Sequence, residues 1–419
     1  MPEFFRSGVF KSLANVNDAV TLIVNSAVGR TIKVERVALA ESIGRILGEE
    51  IVARVNLPSV DRSVVDGYAV RAGDTENASA EFPVSLKLVG ESVLGRECTI
   101  AMKPSETIAV ATGSIMPKGA DAVVPIEDSA SLSDYVIGIK LATRTGQNVV
   151  HKGADVSPGK LVLSKGRRLR HEDVGVLKAL GIKRVKVRVL SVGIMSTGNE
   201  LTDSIKKSKG KIVDINRLVL GSMIAELGSL PVDLGIVPDR EDVLLRALRT
   251  AIRSCDMVIV TGGSSVGKRD LVPKCINQLG KPGMLVHGVA MRPSMPTGFG
   301  IVDHTPIMSL PGVPVSAVFA FRVFGRPLIA KLLDAGDIVD PVLEARLAEK
   351  IRGVPGYRTL VRVIVRKTET GLVAEPLKTQ SSSIFMSIVA ANGYVTLQEN
   401  EPEVKGGETV KVTLIGELR

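Results

Sequence analysis

The 419-residue sequence contains no tryptophan, and aromatic residues make up only 3% of it. Stacking platforms for the bases of single strands are hard to build from so few rings. A net charge of +10 would otherwise invite a nucleic-acid reading, but the lysines and arginines are dispersed along the chain rather than gathered in one arm or helix. Steering of a small polyanionic substrate explains the basicity at least as well, and no nucleic-acid partner is expected. The three cysteines, Cys98, Cys255 and Cys275, are too far apart for zinc-ligand spacing and too few for a disulfide framework. The four histidines show no H-x-x-x-H grouping, which excludes a structural zinc site of ordinary type. No apolar run approaches the roughly 18 residues of a membrane span, and the first 27 residues carry Arg6, Lys11 and Asp18 where a signal peptide needs an unbroken apolar core. A cytoplasmic protein with no membrane partner is expected.

What remains is a chain that is 45% hydrophobic and 23% charged, long enough for two to four domains. Its most informative stretch runs from Cys255 to Pro273. The apolar run Met257 to Val260 breaks into Thr261-Gly-Gly-Ser-Ser-Val-Gly, and an apolar periodicity resumes from Asp270. This reads as strand, loop and helix. Glycines at 262, 263 and 267 allow tight turning and close approach of bare N–H groups, and a helix N-terminus behind the loop favours an anion. An ordinary strand-to-helix turn has the same composition. The phosphate loop G-x-x-x-x-G-K-[ST] fits from Gly262 to Lys268 but fails at Arg269, where the hydroxyl that holds Mg²⁺ is missing.

In chain order, residues 14–30 and 38–49 show helical spacing; in the second, Leu39, Ile43, Ile46 and Leu47 share one stripe. Residues 55–75 turn polar around Pro58, with Asp66-Gly67 reading as a hairpin turn. Residues 82–143 are strand-like and turn-rich, a small β domain inserted between helical pieces. A short helix over 172–180 stops at Gly181. From 185 to about 330, strands at 188–196, 231–237, 256–261 and 285–290 alternate with helices at 215–227, 240–253, 270–279 and 314–332, the pattern of a doubly wound parallel α/β domain. Residues 335–419 are β-branched and turn-punctuated, with one short helix ending at Gly393, as expected of a β-barrel or sandwich. The fold class expected is therefore multidomain α/β plus β.

Ligands of a doubly wound sheet bind beyond the carboxyl ends of its strands. The loops there bring Glu200, Asp239 and Asp270 to one sheet edge beside the glycine-rich loop. Each acid alone reads as a helix cap or a surface charge. Three together beside a phosphate nest would repel one another and the ligand unless a hard divalent cation, Mg²⁺ or similar, sat among them.

Five stretches, in this order, cover almost the whole chain: Leu57-Pro-Ser-Val-Asp-Arg-Ser-Val-Val-Asp-Gly-Tyr-Ala-Val-Arg, Ala111-Thr-Gly-Ser-Ile-Met-Pro-Lys-Gly-Ala-Asp-Ala-Val-Val, Ser196-Thr-Gly-Asn-Glu-Leu, Thr261-Gly-Gly-Ser-Ser-Val-Gly and Leu310-Pro-Gly-Val-Pro-Val-Ser. Together they resemble the molybdopterin molybdenumtransferase family, the MoeA and gephyrin E-domain type. The resemblance implies a discontinuous helical dimerisation domain (1–50 and 146–183), an inserted β-rich domain (51–145), a molybdopterin-binding α/β domain (184–333) and a C-terminal β-barrel (334–419). It implies a homodimer whose active cleft lies between the α/β domain of one subunit and the inserted domain of the other. The implied reaction takes adenylylated molybdopterin and molybdate or tungstate, inserts the metal at the dithiolene, cleaves the pyrophosphate with Mg²⁺ and releases AMP. Carried over motif by motif, Asp66, Asp155, Glu200, Asp239 and Asp270 are the acids expected to bind Mg²⁺ and orient the attacking group, with Glu200, Asp239 and Asp270 on the metal. Thr197, Gly198, Gly262, Gly263, Ser264, Ser265 and Gly267 would contact pterin or phosphate. Arg292, Pro311, Pro314 and Ser382 would line the oxyanion side. Implied partners are the molybdopterin adenylyltransferase and apo-molybdoenzymes.

The chain departs from the family pattern in places. Where a Lys-Pro-Gly-Lys-Pro turn is frequent it reads Arg292-Pro-Ser-Met-Pro296, so Met295 stands in place of an ammonium and Ser294 in place of glycine. Arg62 replaces an amide, Ala154 an acid and Val313 an asparagine. A second reading is therefore a non-catalytic paralogue that binds molybdopterin or a partner protein as a scaffold.

Overall fold

The computed structural model describes residues 13–26, 31–207, 210–263, 271–336 and 338–418. The chain forms two compact units, one of residues 1–48, 166–170 and 184–419 and the other of residues 49–165 and 171–183.

The larger unit holds a six-stranded sheet in the order Leu230–Val237, Ser191–Thr197, Met257–Thr261, Thr305–Leu310, Gly298–Val302, Pro282–His287. The first four are mutually parallel, and the last two add an antiparallel edge. Met257–Thr261 is buried at every position, as a central parallel strand covered on both faces should be. Its cover on one face is the helices Glu241–Ser254 and Leu271–Leu279, whose Leu244, Leu248, Val272 and Ile276 pack on Val258 and Val260. The opposite face is covered by Val16–Ser26, Asn216–Glu226 and Pro314–Ala320, with Ile23, Leu220 and Phe319 in one core with Ile194 and Ile259. Glu241–Ser254 is helical because its buried residues recur at intervals of three and four while Asp242 and Arg246 pair at 3.0 Å on the wet side. Helix 314–332 contains a π-helical turn at Phe321–Gly325, where a side chain on Gly325 would strike the Phe321 ring. The expected doubly wound parallel core is present, and Gly298–Val302, antiparallel to both its neighbours, and Pro282–His287 extend it at one edge.

The C-terminal strands close on themselves. Arg358–Thr368 pairs with both Gly371–Pro376 and Gly393–Leu397, and the circuit returns through Val342–Leu347 and Thr409–Leu414. This five-stranded barrel is filled by Val361, Val363, Val365, Leu397 and Val412. The short strand Met291–Arg292 from the α/β part pairs alongside it, in parallel with Arg358 and Thr359.

Residues 38–49 are not a helix. Only Leu39–Glu41 makes a 3₁₀ turn; Gly44 then takes φ +77°, and Ile46 and Leu47 bridge to Arg168 and Val187. The apolar stripe is real, but long-range backbone partners win over local helical spacing.

The smaller unit has a six-stranded sheet in the order Ala122–Pro125, Gly67–Val70, Glu106–Val110, Val84–Ser92, Val136–Ile139, Ser129–Ser133. Asp66-Gly67 is not a hairpin turn: Gly67 opens a strand and pairs with both Val110 and Pro125. A Cβ at 67 would lie 2.0 Å from the Val124 carbonyl oxygen, so only glycine lets the strands approach. The helix His171–Ala179 is stopped by Gly181 at φ +77°. Among the described residues no helix is long and apolar enough to cross a membrane.

Candidate active site

The chain runs from Ser191–Thr197 to one neighbour, Leu230–Val237, and then to the other, Met257–Thr261. That reversal opens a crevice beyond the carboxyl ends of these strands. Thr197, Val237, Thr261 and Leu310 end there side by side. Ser196 and Thr261 bond through their hydroxyls at 2.8 Å, fully buried, just inside the edge. Gly262 takes φ +87° and its N–H donates to the Leu310 carbonyl at 3.1 Å. A Cβ on Gly262 would fall 2.3 Å from the Thr197 carbonyl oxygen, and one on Gly263 would fall 2.8 Å from Thr197 Cγ2. The glycines thus bring two loops into backbone contact.

Asp239 joins the two loops at this edge. Its Oδ1 accepts from Thr197 Oγ1 at 2.8 Å and its Oδ2 from the Asn199 N–H at 3.3 Å, while Asn199 Oδ1 accepts the Asp239 N–H at 3.3 Å. The carboxylate clasps the Thr197–Glu200 loop. The Glu200 carboxyl folds over Gly198, 2.5 Å from where a Cβ would stand, and is exposed. Among the described residues no three ligating side chains come together. Glu200 and Asp239 give an all-oxygen pair on adjoining loops, which suits a hard cation in chemistry but is not a cage. Ser264, Ser265, Gly267 and Asp270 lie outside the described residues. Pro311 and Pro314 sit in the neighbouring loop at this edge, where the Gly312 carbonyl accepts from Asn216 Nδ2 at 2.8 Å and Pro314 starts its helix.

Arg292 and Ser382 are elsewhere, on a cavity of about 950 Å³ between the Met291–Arg292 strand and the barrel. Its charged lining is Arg292, Lys350, Arg352 and Lys378 against Glu349 and Glu375, four cations to two anions. Arg352 is paired to Glu403 at 3.0 Å, and Glu375 to Arg366 at 3.7 Å. One wall is the segment Leu377 to Ser382, fastened to Arg362: the Arg362 N–H donates to Gln380 Oε1 at 2.9 Å, and Gln380 Nε2 returns a bond to the Arg362 carbonyl at 2.9 Å. The Arg362 side chain is completely buried behind this wall. Its Nη2 donates to the Ser381 carbonyl at 3.3 Å, but Nε and Nη1 have no partner among the described residues. Burial lowers its pKa from the ordinary guanidinium value, yet a guanidinium stays charged in proteins. A buried cation with two idle donors is costly unless an anion comes to it. Sequence reading missed Arg362; the only signal was an arginine between valines in an alternating strand.

Asp66 and Asp155 belong to the smaller unit. Asp66 Oδ1 accepts from the Thr112 N–H at 2.7 Å and from its hydroxyl at 3.1 Å, and the backbone bond holds the exposed carboxyl below the usual carboxylate range. Asp155 is exposed, its N–H donating to the Leu57 carbonyl at 3.0 Å. The segment before it is pinned by Asp61, whose Oδ1 accepts the Lys152 N–H at 2.7 Å and whose Oδ2 lies 3.4 Å from His151 Nδ1.

Three family models match this chain in sequence order: the MoeA N-terminal region (domain I and II) over residues 14–181, the probable molybdopterin binding domain over 193–331 and the MoeA C-terminal region (domain IV) over 344–415. The molybdopterin molybdenumtransferase of Bacillus subtilis is 33% identical over 388 residues, covering 91% of this chain and 90% of that protein. The chain belongs to the molybdopterin molybdenumtransferase family. A putative molybdopterin biosynthesis protein of Methanocaldococcus jannaschii is also 33% identical, with 91% and 92% covered. The crystal structure of a molybdopterin biosynthesis MoeA protein from Pyrococcus horikoshii matches with a TM-score of 0.83 and 32% identity over 96% of this chain and all of that one. Membership of this family gives the chain a role in molybdenum cofactor biosynthesis.

Proposed function

We propose that the chain inserts the metal of molybdate or tungstate into adenylylated molybdopterin, with cleavage of the pyrophosphate and release of AMP. The observation that carries this reading is the unsatisfied Arg362 guanidinium behind a cavity that also presents Arg292 and Ser382. A tetrahedral oxyanion is the ligand such donors suit, since charge-assisted bonds from guanidinium to oxygen are about twice as strong as neutral ones. The pterin nucleotide would lie along the sheet edge, contacted by Thr197, Gly198, Gly262, Gly263, Ser264, Ser265 and Gly267, with Pro311 and Pro314 walling the neighbouring loop.

Glu200, Asp239 and Asp270 are the proposed acids for Mg²⁺, which when bound would neutralise charge on the phosphoanhydride. The described pair does not by itself complete a cation site, so the roles assigned here belong to the chain. Asp239 holds the Thr197–Glu200 loop in register, which fixes the Glu200 carboxylate over Gly198. Asp66 and Asp155 are proposed to complete the site from the partner subunit of a cytoplasmic homodimer. Asp66, whose carboxyl the Thr112 backbone bond holds below the usual carboxylate range, would act as an acceptor or orienting charge. The four-domain division 1–50 with 146–183, 51–145, 184–333 and 334–419 goes with this proposal, as do docking partners among adenylyltransferases and apo-molybdoenzymes.

The test is AMP release from adenylylated molybdopterin by the purified protein with Mg²⁺, given molybdate, tungstate or neither. Release that requires an oxyanion and stops on chelation of the divalent cation is expected. Bound nucleotide without release under any condition would favour the scaffold reading.

A further inference from the structure

The cavity between Arg292 and Ser382 has cations of two kinds. Arg362 is behind the cavity wall, completely buried, with its backbone bonded to Gln380 and its Nη2 donating to the Ser381 carbonyl at 3.3 Å. Arg292 is exposed, and an exposed arginine ordinarily samples many rotamers and gives up side-chain entropy when a ligand fixes it. Here it is already held. Its guanidinium carbon stands 5.0 Å from the centre of the Tyr357 ring, the geometry of a cation–π contact.

The backbone makes that contact reproducible. Met291 and Arg292 pair in parallel with Arg358 and Thr359, and the Arg358 N–H donates to the Ala290 carbonyl at 2.9 Å. Tyr357 is the residue before this pairing, at the end of a tight turn closed by its own N–H to the Val354 carbonyl at 2.9 Å. The α/β part therefore supplies the charge and the barrel supplies the plate on which it rests. Lys350 and Lys378 also line the cavity, and as compact charges on flexible stems suit attraction of an anion more than its exact placement.

We propose that Tyr357 is a positioning residue for the oxyanion: its ring fixes where the Arg292 guanidinium stands at the cavity and so tunes the cavity to the size of one tetrahedral dianion over a smaller one. This rests on the reading of the cavity as the oxyanion site. A charge held at one place relative to the cavity wall discriminates between dianions of different radius, whereas a charge on a free stem follows whichever anion enters. Loss of the ring thus weakens the better-fitting anion more than the poorer one.

The experiment is equilibrium binding of molybdate and of sulfate to the full-length protein, with Tyr357→Phe, Tyr357→Ala, Arg292→Lys and the Arg292→Lys/Tyr357→Ala double variant, each checked for an unchanged melting temperature. Tyr357→Ala is expected to weaken molybdate by about twofold to fivefold, the range of an exposed cation–π contact, and to narrow the molybdate-to-sulfate ratio. Tyr357→Phe keeps the ring and should bind as the parent does. In the Arg292→Lys background, which keeps the charge but loses the planar stack, removal of the ring should cost clearly less than it does beside Arg292. A tyrosine that merely packs the turn would cost the same in both backgrounds, and that result overturns the inference. So does equal loss with Tyr357→Phe, which would place the effect on the hydroxyl. If the parent protein binds neither anion, the oxyanion reading of the cavity falls and this inference with it; binding that Tyr357→Ala leaves unchanged removes this inference alone.

Discussion

Arg362 bears in opposite directions on stability and on the proposed oxyanion binding. Arg362 is on the strand Arg358–Thr368, where Val361, Val363 and Val365 fill the barrel and the alternate residues face outward. On an open barrel face an arginine would be a solvated charge, which is why the alternation reads as unremarkable in the sequence. The α/β part covers this face, however: Leu360 and Tyr394 join its core, and Arg362 is sealed in with two donors idle. Burial of this kind depends on residues far away in the chain and has no local signature. It leads to a prediction that separates the two roles. Replacing Arg362 with Met, which keeps the length of the stem, removes an unpaired buried charge and should leave the melting temperature unchanged or higher. The same change should raise the KM for molybdate by about tenfold to a hundredfold, the value of one or two charge-assisted bonds at about 1.5–3 kcal/mol. Thermal melts and oxyanion titrations of one preparation check both. A variant that loses stability and binding together would instead mark Arg362 as structural.

Among the elements, the sheet edge was legible and its fine structure was not. The run Met257 to Val260 followed by three glycines has few interpretations, and the strands 231–237 and 256–261 and the helices 215–227, 240–253 and 270–279 were readable from hydrophobic period within a residue or two. Leu39 to Leu47 misled because Gly44 and the distant strand partners of Ile46 and Leu47 override a helical stripe. Asp66-Gly67 misled because a glycine that turns a chain and a glycine that admits a neighbouring strand look alike in sequence. At the edge itself, Glu200 and Asp239 were found, but the clasp from Asp239 to Thr197 and Asn199 could not be seen, since it needs the two loops side by side. Gly262 is the point where those loops touch. Gly262→Ala places a Cβ 2.3 Å from the Thr197 carbonyl in a left-handed backbone position, so strain and collision act together. The expected cost is about 2–4 kcal/mol, seen as a lower denaturation midpoint. AMP release should fall by much more than stability predicts, because the displaced segment carries Thr197, Gly198 and Glu200. Gly336→Ala, with open space around its Cβ, is the control. Equal effects of the two would remove the special place given to Gly262.

For the whole molecule, the acids divide between the two compact units. Glu200 and Asp239 are in the larger, Asp66 and Asp155 in the smaller. The proposed homodimer would combine the larger unit of one subunit with the smaller unit of its partner at each of two sites. Symmetry makes this testable without a structure of the assembly. Glu200→Gln and Asp66→Asn each disable both sites of their own homodimer, so each alone should release almost no AMP. Co-expressed with different tags, the two chains pair at random, and about half of the dimers are mixed. In a mixed dimer one site receives both defects and the other receives neither. Purified through both tags in turn, mixed dimers should therefore regain about half the parent's turnover per dimer, and the unfractionated mixture about a quarter. If instead each site takes all its acids from one chain, every site in a mixed dimer keeps one defect and no activity returns. Recovery near half in the doubly tagged fraction, with none in either parent variant, would establish that the four acids act across the subunit boundary; absence of recovery from a dimer shown intact by its sedimentation would place them within one chain.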